Sequence, residues 1–113
     1  MTGIVWGSTF ESASIKLTDV INDYVKYGYE IEKVCKNKYS YYVIFTNGDN
    51  WSAIKANECC RGRRCNISYI ERNIDYDIYR TIINPITTVG PFTAIRLYGE
   101  GDLHISNEPN LPF

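Results

Sequence analysis

The sequence predicts a single α+β domain in which a mixed sheet of five or six strands carries two helices on one face. A length of 113 residues suits one hydrophobic core. One segment near the start repeats apolar residues at helical spacing, and the middle of the chain alternates aromatic and β-branched residues between turn signals. Internal repeats and linker composition are both missing. Residues 1–106 therefore form the domain, and 107–113 form a flexible tail with too few periodic apolar residues to order it.

Ile4, Val5 and Trp6 read as a short strand ended by Gly7. Ser8-Thr9-Phe10-Glu11 has the form of a capping box, with Ser8 as the cap. In the helix that follows, Leu17, Val20, Ile21, Tyr24 and Val25 share one face, and Gly28 stops it. Tyr29 to Val34 and Tyr39 to Phe45 read as a hairpin joined by Lys36-Asn37-Lys38. Asn47-Gly48 signals a type I′ turn with positive φ at both central residues, leading to a return strand from Trp51 to Ile54. A basic loop, Arg61-Gly62-Arg63-Arg64, precedes a largely buried strand from Asn66 to Ile70. Ile78, Tyr79, Ile82 and Ile83 mark a second, shorter helix that stops before Pro85, and Phe92 to Tyr98 is the last strand.

Twelve basic and thirteen acidic side chains (formal net charge −1) leave no overall field to draw the molecule toward nucleic acid or an anionic membrane, so such contact has to come from a local patch. Met1 to Phe10 lacks the basic start and long apolar run of a signal peptide, and no run is long enough to span a membrane; a cytoplasmic location is expected. Cys35, Cys59, Cys60 and Cys65 lack the paired spacing of a zinc site and are read as reduced thiols. His104 has no partner in the sequence pattern that would make it a base or a ligand. Asp75 and Asp77 suit the start of the second helix, where a carboxylate meets the helix dipole. No catalytic set, metal site or cofactor is implied.

Binding candidates are clearer. Arg61, Arg63 and Arg64, with Lys55 close in sequence, offer guanidinium forks and an ammonium to phosphate oxygens. Tyr39, Tyr41 and Tyr42 beside Phe45 and Trp51 could stack bases, Tyr41 and Trp51 foremost. Core packing and a solvated basic turn are the competing readings.

From Val43 to Pro85 the features run in order: a strand with Asn47-Gly48, a polar strand, Arg61-Gly62-x-Arg64, an apolar strand ending in Glu71, and a helix ending in Ile83-Asn84-Pro85. This order resembles the ATPase domain of phage large terminase subunits, the DNA-packaging motors. The resemblance implies that Glu71 stands at the magnesium-binding acid of the Walker B strand. It also shows what is missing. No GxxxxGK[ST] phosphate loop exists, the acid is followed by Arg72 where a water-orienting glutamate belongs, and Tyr98-Gly99-Glu100 replaces the small hydroxylated residues that couple hydrolysis to movement. A terminase-like sheet without its phosphate-loop strand would have a gap at its centre.

The sequence thus leads to a small, non-catalytic, phage-type binding protein of a bacterial host's cytoplasm. It would act on a protein or nucleic-acid partner through the basic loop and the tyrosine-rich sheet, with oligomers possible through exposed sheet edges. The alternatives are a terminase-like fragment completed by a partner that carries the phosphate loop, and an anti-defence inhibitor of the host.

Overall fold

The computed structural model describes residues 1–57, 63–87 and 93–103. In chain order these form β1 (Thr2–Gly7), α1 (Phe10–Lys26), β2 (Ile31–Lys36), β3 (Tyr41–Phe45), β4 (Asn50–Lys55) and β5 (Ile67–Glu71). A composite helix follows, made of α2 (Tyr76–Ile78), a π-helical stretch (Tyr79–Ile83) and α3 (Asn84–Ile86), and β6 (Ala94–Tyr98) closes the sheet. The result is one α+β domain with a mixed six-stranded sheet in the order β2-β3-β4-β1-β5-β6. Among the described residues no helix is long and apolar enough to cross a membrane.

β1 lies at the centre, parallel to β4 on one side and β5 on the other. The chain therefore supplies its own central strand, and the gap expected by analogy with a terminase sheet does not arise. β5 pairs in parallel with β6, while β2, β3 and β4 form an antiparallel meander.

The two helices pack on opposite faces of the sheet, which corrects the expectation of one face. Val5 of β1 joins Leu17 and Val20 of α1 in a core with Val43, Phe45 and Trp51. Ile4 and Trp6, pointing the other way, join Tyr79, Ile82, Ile83 and Ile86 of the composite helix. The strand order explains the change. From β1 the chain travels through α1 to β2, past β4, whereas from β5 it travels through the composite helix to β6, in the opposite direction across the sheet. Parallel crossovers of one hand that run in opposite directions must lie on opposite faces.

Several local expectations are also corrected. Thr9, not Ser8, caps α1: its side chain accepts the Ser12 amide, while Ser8 turns toward Glu71. At the β3–β4 turn only Gly48 has positive φ (97°), so Asn47 belongs to a type I turn followed by a left-handed glycine rather than to a type I′ turn. Bonds from Gly48 N to Phe45 O and from Phe45 N to Asp49 O close it. The second helix does not stop before Pro85. It passes from π to α geometry at Asn84, and Pro85 falls in the first turn of the new stretch, where a missing amide proton is tolerated. Arg61, Cys59, Cys60, His104 and the 107–113 tail lie outside the described residues.

Polar atoms buried between the sheet and the composite helix are chained together. The Trp6 indole N–H donates to Ser68 Oγ at 2.9 Å, Ser68 and Thr87 hydroxyls meet at 2.7 Å, and Thr87 donates to Ile83 O at 2.6 Å. Each group buried there has a partner, which avoids the desolvation cost of an orphan. On the other face Gly3 lies directly beneath the Trp51 ring, which occupies the space a Cβ would need.

Gly3→Ala should therefore destabilise the fold by about 1–3 kcal/mol through overpacking, although alanine in a strand otherwise gains from a stiffer unfolded chain. Urea unfolding of the two proteins checks this. Equal or greater stability of the alanine variant would contradict the packing described.

Candidate functional site

The parallel strands β4, β1, β5 and β6 end at one rim of the sheet, at Lys55, Gly7, Glu71 and Tyr98. In open sheets of this kind, ligands bind outside the carboxyl ends, where adjacent strands send their connections to opposite faces. Here that point lies between β1 and β5. The crevice is occupied by the protein itself: Ser8 donates its backbone N–H and its hydroxyl to Glu71 Oε1, both at 2.9 Å. Tyr98 donates its phenol to Trp6 O at 2.9 Å on the same rim.

Glu71 is thus placed beside the turn into α1. The turn contains only Ser8 and Thr9, and Gly7 passes so close to Thr9 O and Ala13 N that a Cβ there would collide. A cradle of backbone amides needs a longer loop than this. Among the described residues no group of three or more His, Cys, Asp or Glu side chains is placed to hold a metal ion.

A second feature of the same rim is a groove of roughly 440 Å³. Its charged and aromatic lining comprises Phe10, Lys38, Tyr39, Tyr41, Tyr42, Lys55 and Arg63, and no carboxylate belongs to the described lining. A local turn and a strand pairing build it. Asn37 Oδ1 accepts the amides of Tyr39 and Ser40 at 2.8 and 2.9 Å, which fixes the β2–β3 tip and presents Lys38 and Tyr39. Antiparallel pairing of β3 with β4, Tyr42 opposite Ser52, brings Lys55 beside that tip. Lysines and tyrosines are interleaved along the hairpin: Lys33 lies 5.8 Å from the Tyr42 ring centre, Lys36 4.7 Å from Tyr41, and Lys38 5.7 Å from Tyr39. Tyr39 is 81% exposed.

The sequence-predicted residues divide accordingly. Lys55 and Arg63 come together at the groove, and Arg64 is exposed next to Arg63 without lining it. Tyr41 belongs to the groove lining but is only 6% exposed. Its ring is buried and its hydroxyl bonds Thr18 at 2.9 Å, because β3 alternation sends Tyr41, Val43 and Phe45 toward α1. Trp51 is 2% exposed, edge-on to Tyr69, and forms core rather than a stacking surface. The accessible rings are Tyr39 and Tyr42. Lys38 was missed as a site residue; its signal is the hairpin tip in which it sits directly before Tyr39.

Burial, and secondarily the Glu71 charge, pushes the Tyr98 phenol above the ordinary tyrosine range. A raised folded-state value means that stability is intact below about pH 10 and falls above it, as the unfolded phenol ionises while the folded one stays protonated. Tyr98→Phe removes the bond to Trp6 O and should cost about 1 kcal/mol at neutral pH. Because the phenylalanine variant lacks this ionisation, the gap between the two proteins should shrink between about pH 9 and about pH 11. Denaturant unfolding at both pH values checks the sign, and a constant gap would contradict it.

No protein-family model matches the sequence, and comparison with curated proteins and with solved structures finds no match.

Proposed function

We propose that the protein is a non-catalytic binding module that takes a single-stranded nucleic acid along the basic groove. One observation carries this reading: Lys38, Lys55 and Arg63 surround an open groove beside Tyr39 and Tyr42, and the described lining has no carboxylate. Cations on the rim attract phosphates by a sequence-independent, salt-sensitive term. An exposed ring at the hairpin tip offers a stacking platform to unpaired bases, worth about 1–3 kcal/mol per base. A net charge of −1 makes this a local property, so binding should depend on the groove and not on the whole surface.

A second reading is supported by the placement of Glu71 beside the β1–α1 turn. In it the chain is a terminase-like element of a DNA-packaging ATPase, and a partner brings the phosphate loop. The two readings differ in what stabilises the isolated chain. The binding module should bind oligonucleotide and show no thermal shift with magnesium-ATP, whereas the packaging element should require its partner.

Fluorescence anisotropy with a labelled oligo-dT measures the first. Changing Lys38, Lys55 and Arg63 together to alanine should weaken binding at least about tenfold and reduce the slope of log affinity against log salt by about 2, since each phosphate contact on a single strand contributes about 0.7. Tyr39→Ala should lose affinity while leaving that slope unchanged. Unchanged affinity in the triple variant, or no binding by the wild type at low salt, would remove the proposal.

A further inference from the structure

We infer that two copies of the chain pair antiparallel through the open edge of β2, joining their sheets about a two-fold axis at Val34. β2 is a terminal strand of the sheet, with five of its six residues exposed and Cys35 half-buried. Ile31 is 40% and Val34 50% exposed, which places apolar side chains on a strand with no paired strand on one side among the described residues.

The hydrogen-bond phase fixes which backbone groups are free. Asn37 N bonds Ser40 O in the β2–β3 turn. In the same register Cys35 opposes Tyr42 and Lys33 opposes Ile44, so these alternate positions also exchange bonds with β3. Val34 and Lys36, opposite Val43 and Tyr41, fall at the non-bonded positions and direct their N–H and C=O away from the sheet. A second strand placed there must bond through those two residues and, on the other side of Val34, through Glu32, which lies at the register shift.

Charge selects the partner. β2 reads Ile-Glu-Lys-Val-Cys-Lys, with its acid at the start and a base at the end. Lysines on an edge strand normally oppose pairing with another strand. Antiparallel pairing about Val34 instead sets Glu32 of each copy opposite Lys36 of the other, twice per dimer, whereas parallel pairing would oppose like with like. Self-pairing of the same patch is the closed, isologous arrangement expected of a two-fold dimer. The register shift between Ile31 and Lys33 limits the regular pairing, so the dimer should be weak and concentration-dependent.

Sedimentation equilibrium of the full chain without nucleic acid tests this. The wild type should pass from monomer to dimer as concentration rises. Lys36→Glu should raise the dissociation constant about tenfold by setting two acids opposite each other at two places. Adding Glu32→Lys to it should restore the wild-type value, a rescue that a loss of the Lys36–Tyr41 contact cannot produce. Val34→Pro should leave a folded monomer, because the amide proton it removes faces away from β3. A chain that stays monomeric up to its solubility limit overturns the inference, as does a dimer indifferent to the charge exchange. Should Val34→Pro fail to fold, the charge exchange alone decides. Groove binding is read with oligonucleotide on other residues, so either proposal can fail without the other.

Discussion

Parallel pairing of β1 with β4 on one side and β5 on the other is the constraint from which the rest of the architecture follows. Gly3 to Gly7 are all buried, so both faces of this strand are core. Val5 anchors α1 on one side while Ile4 and Trp6 anchor the composite helix on the other. The Trp6 indole then ties β1 to Ser68 of β5 and, through Thr87, to the end of that helix. Because β4, β1, β5 and β6 run the same way, every carboxyl end reaches one rim. That rim carries both features with chemical potential.

The two features differ in what they leave open. At the β1–β5 crevice the carboxylate of Glu71 already accepts both donors of Ser8, and the turn into α1 is too short to wrap a phosphate. The hydrogen bonds of Glu71 therefore serve the fold. The groove beside it is open. Its lysines, arginine and exposed tyrosine line open space, and the Asx turn at Asn37 holds the tip that presents them. Positive charge beside an accessible ring is the combination single-strand binders use.

Local signals were legible in the sequence wherever one segment decided its own shape. The apolar stripe of α1, its stop at Gly28 (φ 96°) and the two hairpins follow from periodicity and turn chemistry. What long-range pairing decides was not legible. Which face each helix covers depends on strand order, which no local period encodes. Ser8 loses its expected capping role because its partner is Glu71, 63 residues away in the chain. Lys55 and Arg63 were found because cations near a loop are visible in any reading. Trp51 was misplaced as a binding residue because alternation alone does not say which face of β4 is covered, and its ring fills the space above Gly3. Lys38 sits at a legible hairpin tip, but its place beside Lys55 depends on how β3 pairs with β4.

The central claim is that the groove at the carboxyl rim is the binding surface. The most direct measurement is an amide NMR titration of the protein with a short oligo-dT, following shifts residue by residue. The account predicts that perturbations gather at 38–42, 52–57 and 63–64, with the Tyr39 ring resonances moving upfield as bases stack on it. Shifts confined to β5, β6 and the composite helix, or none at all at low salt, would contradict it.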